Sequence, residues 1–127
     1  MVYSSEISDN LQENNPNRLI EDLNFYEIEI RMCELQLERL VMNRRNHQEI
    51  MKRVECFQNQ FIIQQNNIKN IKDKLRRLCF LTNSFRLSND WKKRKFYSDL
   101  KAEVKSFEEN LNEILFDFNS YSKYWMH

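Results

Sequence analysis

The chain has 127 residues, 20 basic against 19 acidic side chains for a net charge of +1, no glycine and a single proline. That is the size of one domain, and so even a charge balance points to no particular partner. Without glycine the primed turns of β-hairpins are disfavoured, and the Walker loop and the dinucleotide fingerprint are excluded, since both need glycine at fixed positions.

Apolar residues make up 41% and charged residues 31%, a composition suited to thin helical bundles with much solvated surface. The first fifteen residues are polar, without the apolar run of a secretory leader. No stretch approaches the ~18–20 apolar residues of a membrane span. The three cysteines, Cys33, Cys56 and Cys79, form no CxxC pair. Reduced thiols in a cytoplasmic protein are therefore expected.

Residues 1–15 carry Val2, Tyr3, Ile7 and Leu11 as isolated apolar side chains and read as a flexible or loosely docked tail. Asn15-Pro16 is a helix start: asparagine caps, and proline suits the first helical position because it has no N–H to leave unsatisfied. A first helix is expected over 16–42. Its apolar positions Leu19, Leu23, Tyr26, Ile30, Cys33, Leu37 and Leu40 follow a 4-3-4-3-4-3 spacing, an unbroken heptad seam. Residues 43–46 interrupt it, and Asn46 with Glu49 resembles a capping box.

The second helix is expected over 47–81. Its seam is Ile50, Val54, Phe57, Phe61, Gln64, Ile68, Ile71, Leu75 and Leu78. Gln64 alone is polar. It either fixes register inside the bundle at some cost in stability, or sits at an end or points outward. A second interruption is expected around 82–89, with Ser88 or Asn89 capping the third helix, over 90–124. That helix has the seam Tyr97, Leu100, Val104, Phe107, Leu111, Ile114, Phe118, Tyr121 and Trp125. Short connections make sequential helices antiparallel. The expectation is an all-α fold: one elongated, coiled-coil-like antiparallel three-helix bundle over 16–127.

The first helix has a second apolar row, Phe25, Ile28, Met32, Leu35 and Met42, roughly opposite the first. A surface helix of a bundle needs only one stripe. Either the tail or the 82–89 segment folds over the second row, or the row is an oligomer interface. The tail has too few apolar residues to cover it, so an isologous homodimer is expected.

Nothing points to catalysis. His47 and His127 have no partners at metal-ligand spacing. Neighbouring carboxylates such as Glu27 with Glu29 and Glu108 with Glu109 do not face each other on a helix. No cysteine has a histidine placed to activate it. The expectation is a non-enzymatic protein with no cofactor, no metal and no small-molecule substrate. It would act as a scaffold or protein-binding module.

The charge pattern offers an alternative. Residues 69–95 hold Lys69, Lys72, Lys74, Arg76, Arg77, Arg86, Lys92, Lys93, Arg94 and Lys95 against Asp73 and Asp90, about +8. Residues 97–119 hold six carboxylates against Lys101 and Lys105, about −4. A helical hairpin gathers the cations at one tip, where Arg76, Arg77, Trp91, Lys92, Lys93, Arg94 and Lys95 form a candidate site for an anionic partner, nucleic acid or acidic protein. No groove-reading motif accompanies them.

The run FQNQFI (Phe57 to Ile62), with Tyr97, Phe107-Glu108, Phe118-Asn119 and Trp125-Met126, resembles a group of small uncharacterised helical proteins from bacteria. The resemblance covers the second and third helices. It implies a helical fold and nothing catalytic, and it carries over no functional residues.

Overall fold

The computed structural model describes residues 16–43, 46–85 and 91–125. The proposed tail over 1–15, the Arg44-Arg45 pair, the 86–90 segment with Arg86 and the candidate caps Ser88 and Asn89, and His127 lie outside the described residues. Three helices account for the rest: α1 (Pro16–Asn43), α2 (Gln48–Phe85) and α3 (Trp91–Trp125). Among the described residues only Asn46 and His47 are not helical, and no strand occurs. The chain is an all-α three-helix bundle.

Pro16 opens α1 as its missing N–H predicts. The Met51 N–H donates to the His47 carbonyl at 3.0 Å, closing the first turn of α2. One boundary differs from expectation. The second helix does not stop at Leu81 but continues to Phe85. The Thr82-Asn83-Ser84 stretch contains neither glycine nor proline. Such residues weaken a helix by only a few tenths of a kcal/mol each, too little to end one that is already propagating. At 38 residues and 1.5 Å per residue, α2 is about 57 Å long.

Side-chain pairs fix the register. Gln65 Nε2 donates to Glu34 Oε1 at 3.4 Å, Lys72 Nζ to Glu27 Oε2 at 3.3 Å, and Cys79 Sγ to Asn17 Oδ1 at 3.4 Å. Numbers rise along α2 as they fall along α1, so the two run antiparallel. The Lys74–Glu103 pair at 3.3 Å and the Phe61–Phe118 ring contact at 5.4 Å set the same relation between α2 and α3. Two antiparallel steps leave α1 parallel to α3, and Tyr26 meets Phe107 edge-on at 6.1 Å between ring centres.

The core is the set of three seams. Leu19, Leu23, Ile30, Cys33, Leu37 and Leu40 of α1 are buried, as are the α2 seam from Ile50 to Leu78 and the α3 seam from Leu100 to Phe118. Tyr26, Tyr97 and Tyr121 are half-buried against it. The Tyr121 O–H donates to the Ile50 carbonyl at 3.4 Å, which gives that phenol a polar partner at the edge of the core. Near the start of α2, Phe57 and Phe61 stack at 6.3 Å, and Phe118 meets both edge-on, at 5.3 and 5.4 Å. The Arg53 guanidinium lies 5.1 Å from the Phe57 ring centre and 6.0 Å from that of Tyr121, capping this cluster with a cation over π faces.

Gln64 is 3% exposed, and its Oε1 has no hydrogen-bond partner among the described residues. The outward-pointing alternative is therefore set aside. The register places Gln64 mid-rod, level with Cys33 and Ile114. An unpaired buried carbonyl costs about 1–3 kcal/mol, which the apolar layers on either side must offset. All three cysteines are free thiols; Cys33 is buried, Cys79 half-buried and Cys56 exposed. Burial pushes the Cys33 thiol up to about 11, with the Glu29 and Glu34 charges adding to the shift. A thiol held so far from ionisation is a poor nucleophile at neutral pH.

Two outcomes follow for urea unfolding. Phe61→Ala opens a cavity in the aromatic cluster and should lose about 3–5 kcal/mol. Gln64→Leu removes the orphaned carbonyl and should gain about 1–2 kcal/mol; a loss of stability would mean that the amide is satisfied in solution.

Candidate interaction surfaces

Every side chain of the second row on α1 faces water. Phe25 is 58% exposed, Ile28 60%, Met32 59%, Leu35 53% and Met42 70%. At 100° per residue they lie on the side of α1 facing away from the core seam of Leu19, Leu23, Ile30, Leu37 and Leu40. The Phe25 ring meets that of Tyr26 edge-on at 6.0 Å. The row spans 17 residue steps, about 26 Å, and no described residue covers it.

Other large apolar side chains are also exposed: Ile62, Ile63 and Phe80 on α2, and Trp91, Phe116 and Tyr124 on α3. The sequence reading did not single these out, Trp91 excepted. They do not recur at helical spacing, and Ile62 and Ile63 point about 100° apart. Scattered exposed apolar residues are ordinary. A continuous row is what marks a contact surface, and α1 alone among the described helices carries one.

The basic segment is less concentrated than its count suggests. Lys72, mostly buried at its side chain, pairs with Glu27 of α1, and Lys74 pairs with Glu103 of α3. Arg76 pairs with Asp73 one turn away at 3.5 Å. The acidic stretch of α3 thus meets part of the basic stretch of α2 within one chain. Arg77, Arg94 and Lys95 are exposed, and Lys93 is half-buried. Lys92 is exposed, with its Nζ 6.0 Å from the centre of the exposed Trp91 ring. Four consecutive helical residues fan around the axis in 100° steps, so Lys92 to Lys95 share no single face. By the Lys74–Glu103 register, Arg76 and Arg77 lie level with residues 100–101. That is roughly 8–14 Å along the axis from the Lys92–Lys95 turn. The structure brings the cations to one end but does not focus them.

One polar cluster had no signal in the sequence. Tyr26 of α1 hydrogen-bonds through its side chain to Glu108 of α3. Burial, then the charges of Glu108, Asp22 and Glu29, push the Tyr26 phenol up to about 12. Burial and the Asp22 charge also raise the Glu108 carboxyl above the usual carboxylate range, against the opposing pull of the tyrosine hydrogen bond. The cluster sits on the flanks of α1 and α3. Between α2 and α3 runs a shallow open groove of about 340 Å³, edged by Asn67, Asn70, Ser106 and Asn110 and crossed by the Lys74–Glu103 pair.

Among the described residues no three His, Cys, Asp or Glu side chains are grouped to hold a metal ion, and no described helix is long and apolar enough to cross a membrane. No protein-family model, no curated protein and no solved structure matches the chain.

Proposed function

We propose that this chain is a non-enzymatic helical interaction protein of the cytoplasm that self-associates as a homodimer through the outer face of α1. The observation that carries this reading is the exposed row Phe25, Ile28, Met32, Leu35 and Met42 on a helix whose opposite face is already packed into the core. Five side chains more than half exposed offer on the order of 500 Å² per copy, which places the contact among small, reversible interfaces rather than obligate ones. The cytoplasmic assignment rests on the three free thiols.

A second reading is a module that binds an anionic partner, nucleic acid or acidic protein, through Arg76, Arg77 and Trp91 to Lys95. In its favour, four cations open α3, where the macrodipole disfavours positive charge, so local helix stability gives no reason for them. Trp91, 62% exposed, adds a stacking surface beside Lys92.

Light scattering behind gel filtration tests the first reading. At tens of micromolar the mass should approach twice 15.8 kDa, at low and high salt alike, and Phe25→Glu/Leu35→Glu should reduce it to the single-chain value. A single-chain mass for the unaltered protein at every concentration would sink the reading. For the second, a fluorescent single-stranded oligonucleotide should bind with an affinity that falls steeply with salt and is lost in Lys92→Glu/Lys93→Glu; no binding at low salt removes nucleic acid as the partner.

A further inference from the structure

The outer face of α1 extends further than its apolar members. Four residues before Phe25 on the same stripe stands Glu21, and four after Leu35 stands Arg39, three before Met42. The row Glu21, Phe25, Ile28, Met32, Leu35, Arg39, Met42 then has an unbroken 4-3-4-3-4-3 spacing, the period of a helix-pairing seam. Glu21 and Arg39 are both exposed.

From Glu21 to Arg39 the row is also self-complementary about its centre, midway between Ile28 and Met32. Resting on the self-association reading above, we propose that two copies pair antiparallel along α1. Ile28 then packs on the partner's Met32, Phe25 on the partner's Leu35, and Glu21 meets the partner's Arg39. A two-fold axis at the midpoint repeats each contact, so one dimer has two Glu21–Arg39 pairs, one at each end of the apolar stretch. This is an isologous contact, in which a surface meets its own copy.

Charge decides the direction. In a parallel pairing Glu21 would face the partner's Glu21 and Arg39 the partner's Arg39, two like-charge contacts at the rim of the stripe. Antiparallel pairing turns both into opposite-charge contacts and opposes the two α1 dipoles as well. Sliding by one heptad would set Glu21 or Arg39 against an apolar side chain, so the same residues fix register. On the flanks, Arg31 and Glu29 fall near the two-fold axis, each facing its own copy. Those like-charge contacts weaken the pairing and keep it reversible.

The test is the dimer dissociation constant by sedimentation equilibrium at low salt, for the unaltered chain, Glu21→Lys, Arg39→Glu, the double swap Glu21→Lys/Arg39→Glu, and Phe25→Glu as a control. All three positions are exposed, so circular dichroism should confirm that each variant folds. Each single charge reversal turns two attractive contacts into repulsive ones and should weaken the dimer about tenfold, less at high salt. The double swap should return the constant to that of the unaltered chain. If both single reversals leave the constant unchanged while Phe25→Glu still dissociates the dimer, the interface stands and the antiparallel register is overturned. The same holds if the double swap fails to rescue. A chain that never dimerises, or a dimer indifferent to Phe25→Glu, overturns the self-association reading and this register with it.

Discussion

A helix with an apolar stripe can remove that stripe from water only by laying it against another helix. This constraint organises the whole molecule. The chain has no glycine and its one proline stands at a helix start, so nothing breaks the helices once they begin, and each presents a stripe many turns long. Three stripes converge on a common axis, and α2, antiparallel to both neighbours, closes the core with each. The same constraint makes the second stripe on α1 conspicuous: its apolar side chains face away from both partner helices.

Electrostatics acts on a different scale. Opposite charges are segregated along the sequence, yet the fold folds that segregation back on itself through Lys72–Glu27 and Lys74–Glu103. Lys74–Glu103 is an exposed pair, and such pairs contribute little to stability, typically under about 1 kcal/mol. Their effect is on what a passing polyanion meets, because they occupy Lys72 and Lys74 within the basic stretch of α2. The run from Lys92 to Lys95 is distributed around a helix axis rather than aligned along a groove.

Most of the architecture could be read from spacing alone, because an unbroken 4-3 pattern over many turns has one physical solution. The buried seams and the outward row on α1 were legible for that reason. The extension of α2 to Phe85 was not, since Thr, Asn and Ser suggest a turn but lack the strength to impose one against a long helix. Whether Gln64 faced the core was also undecidable from one sequence, as polar seam positions occur in both settings. The Tyr26–Glu108 contact joins residues on different helices, and only the three-dimensional register brings them together. How the charges of the basic end are arranged was not legible, because counting along the chain shows neither their angular spread nor the carboxylates that folding brings alongside.

The helices are of unequal length. At its far end α2 passes Cys79, which is level with Asn17 at the start of α1, and continues to Phe85. Over that stretch the described part of the rod is two helices thick instead of three. Two-helix sections bury less surface per residue and open at lower free energy than the rest. Backbone amides should therefore trade hydrogen for deuterium earlier in α2 beyond Cys79 than around Phe57, Phe61 and Phe118. Opening of the described bundle would then run lengthwise, from that two-helix stretch toward the aromatic cluster.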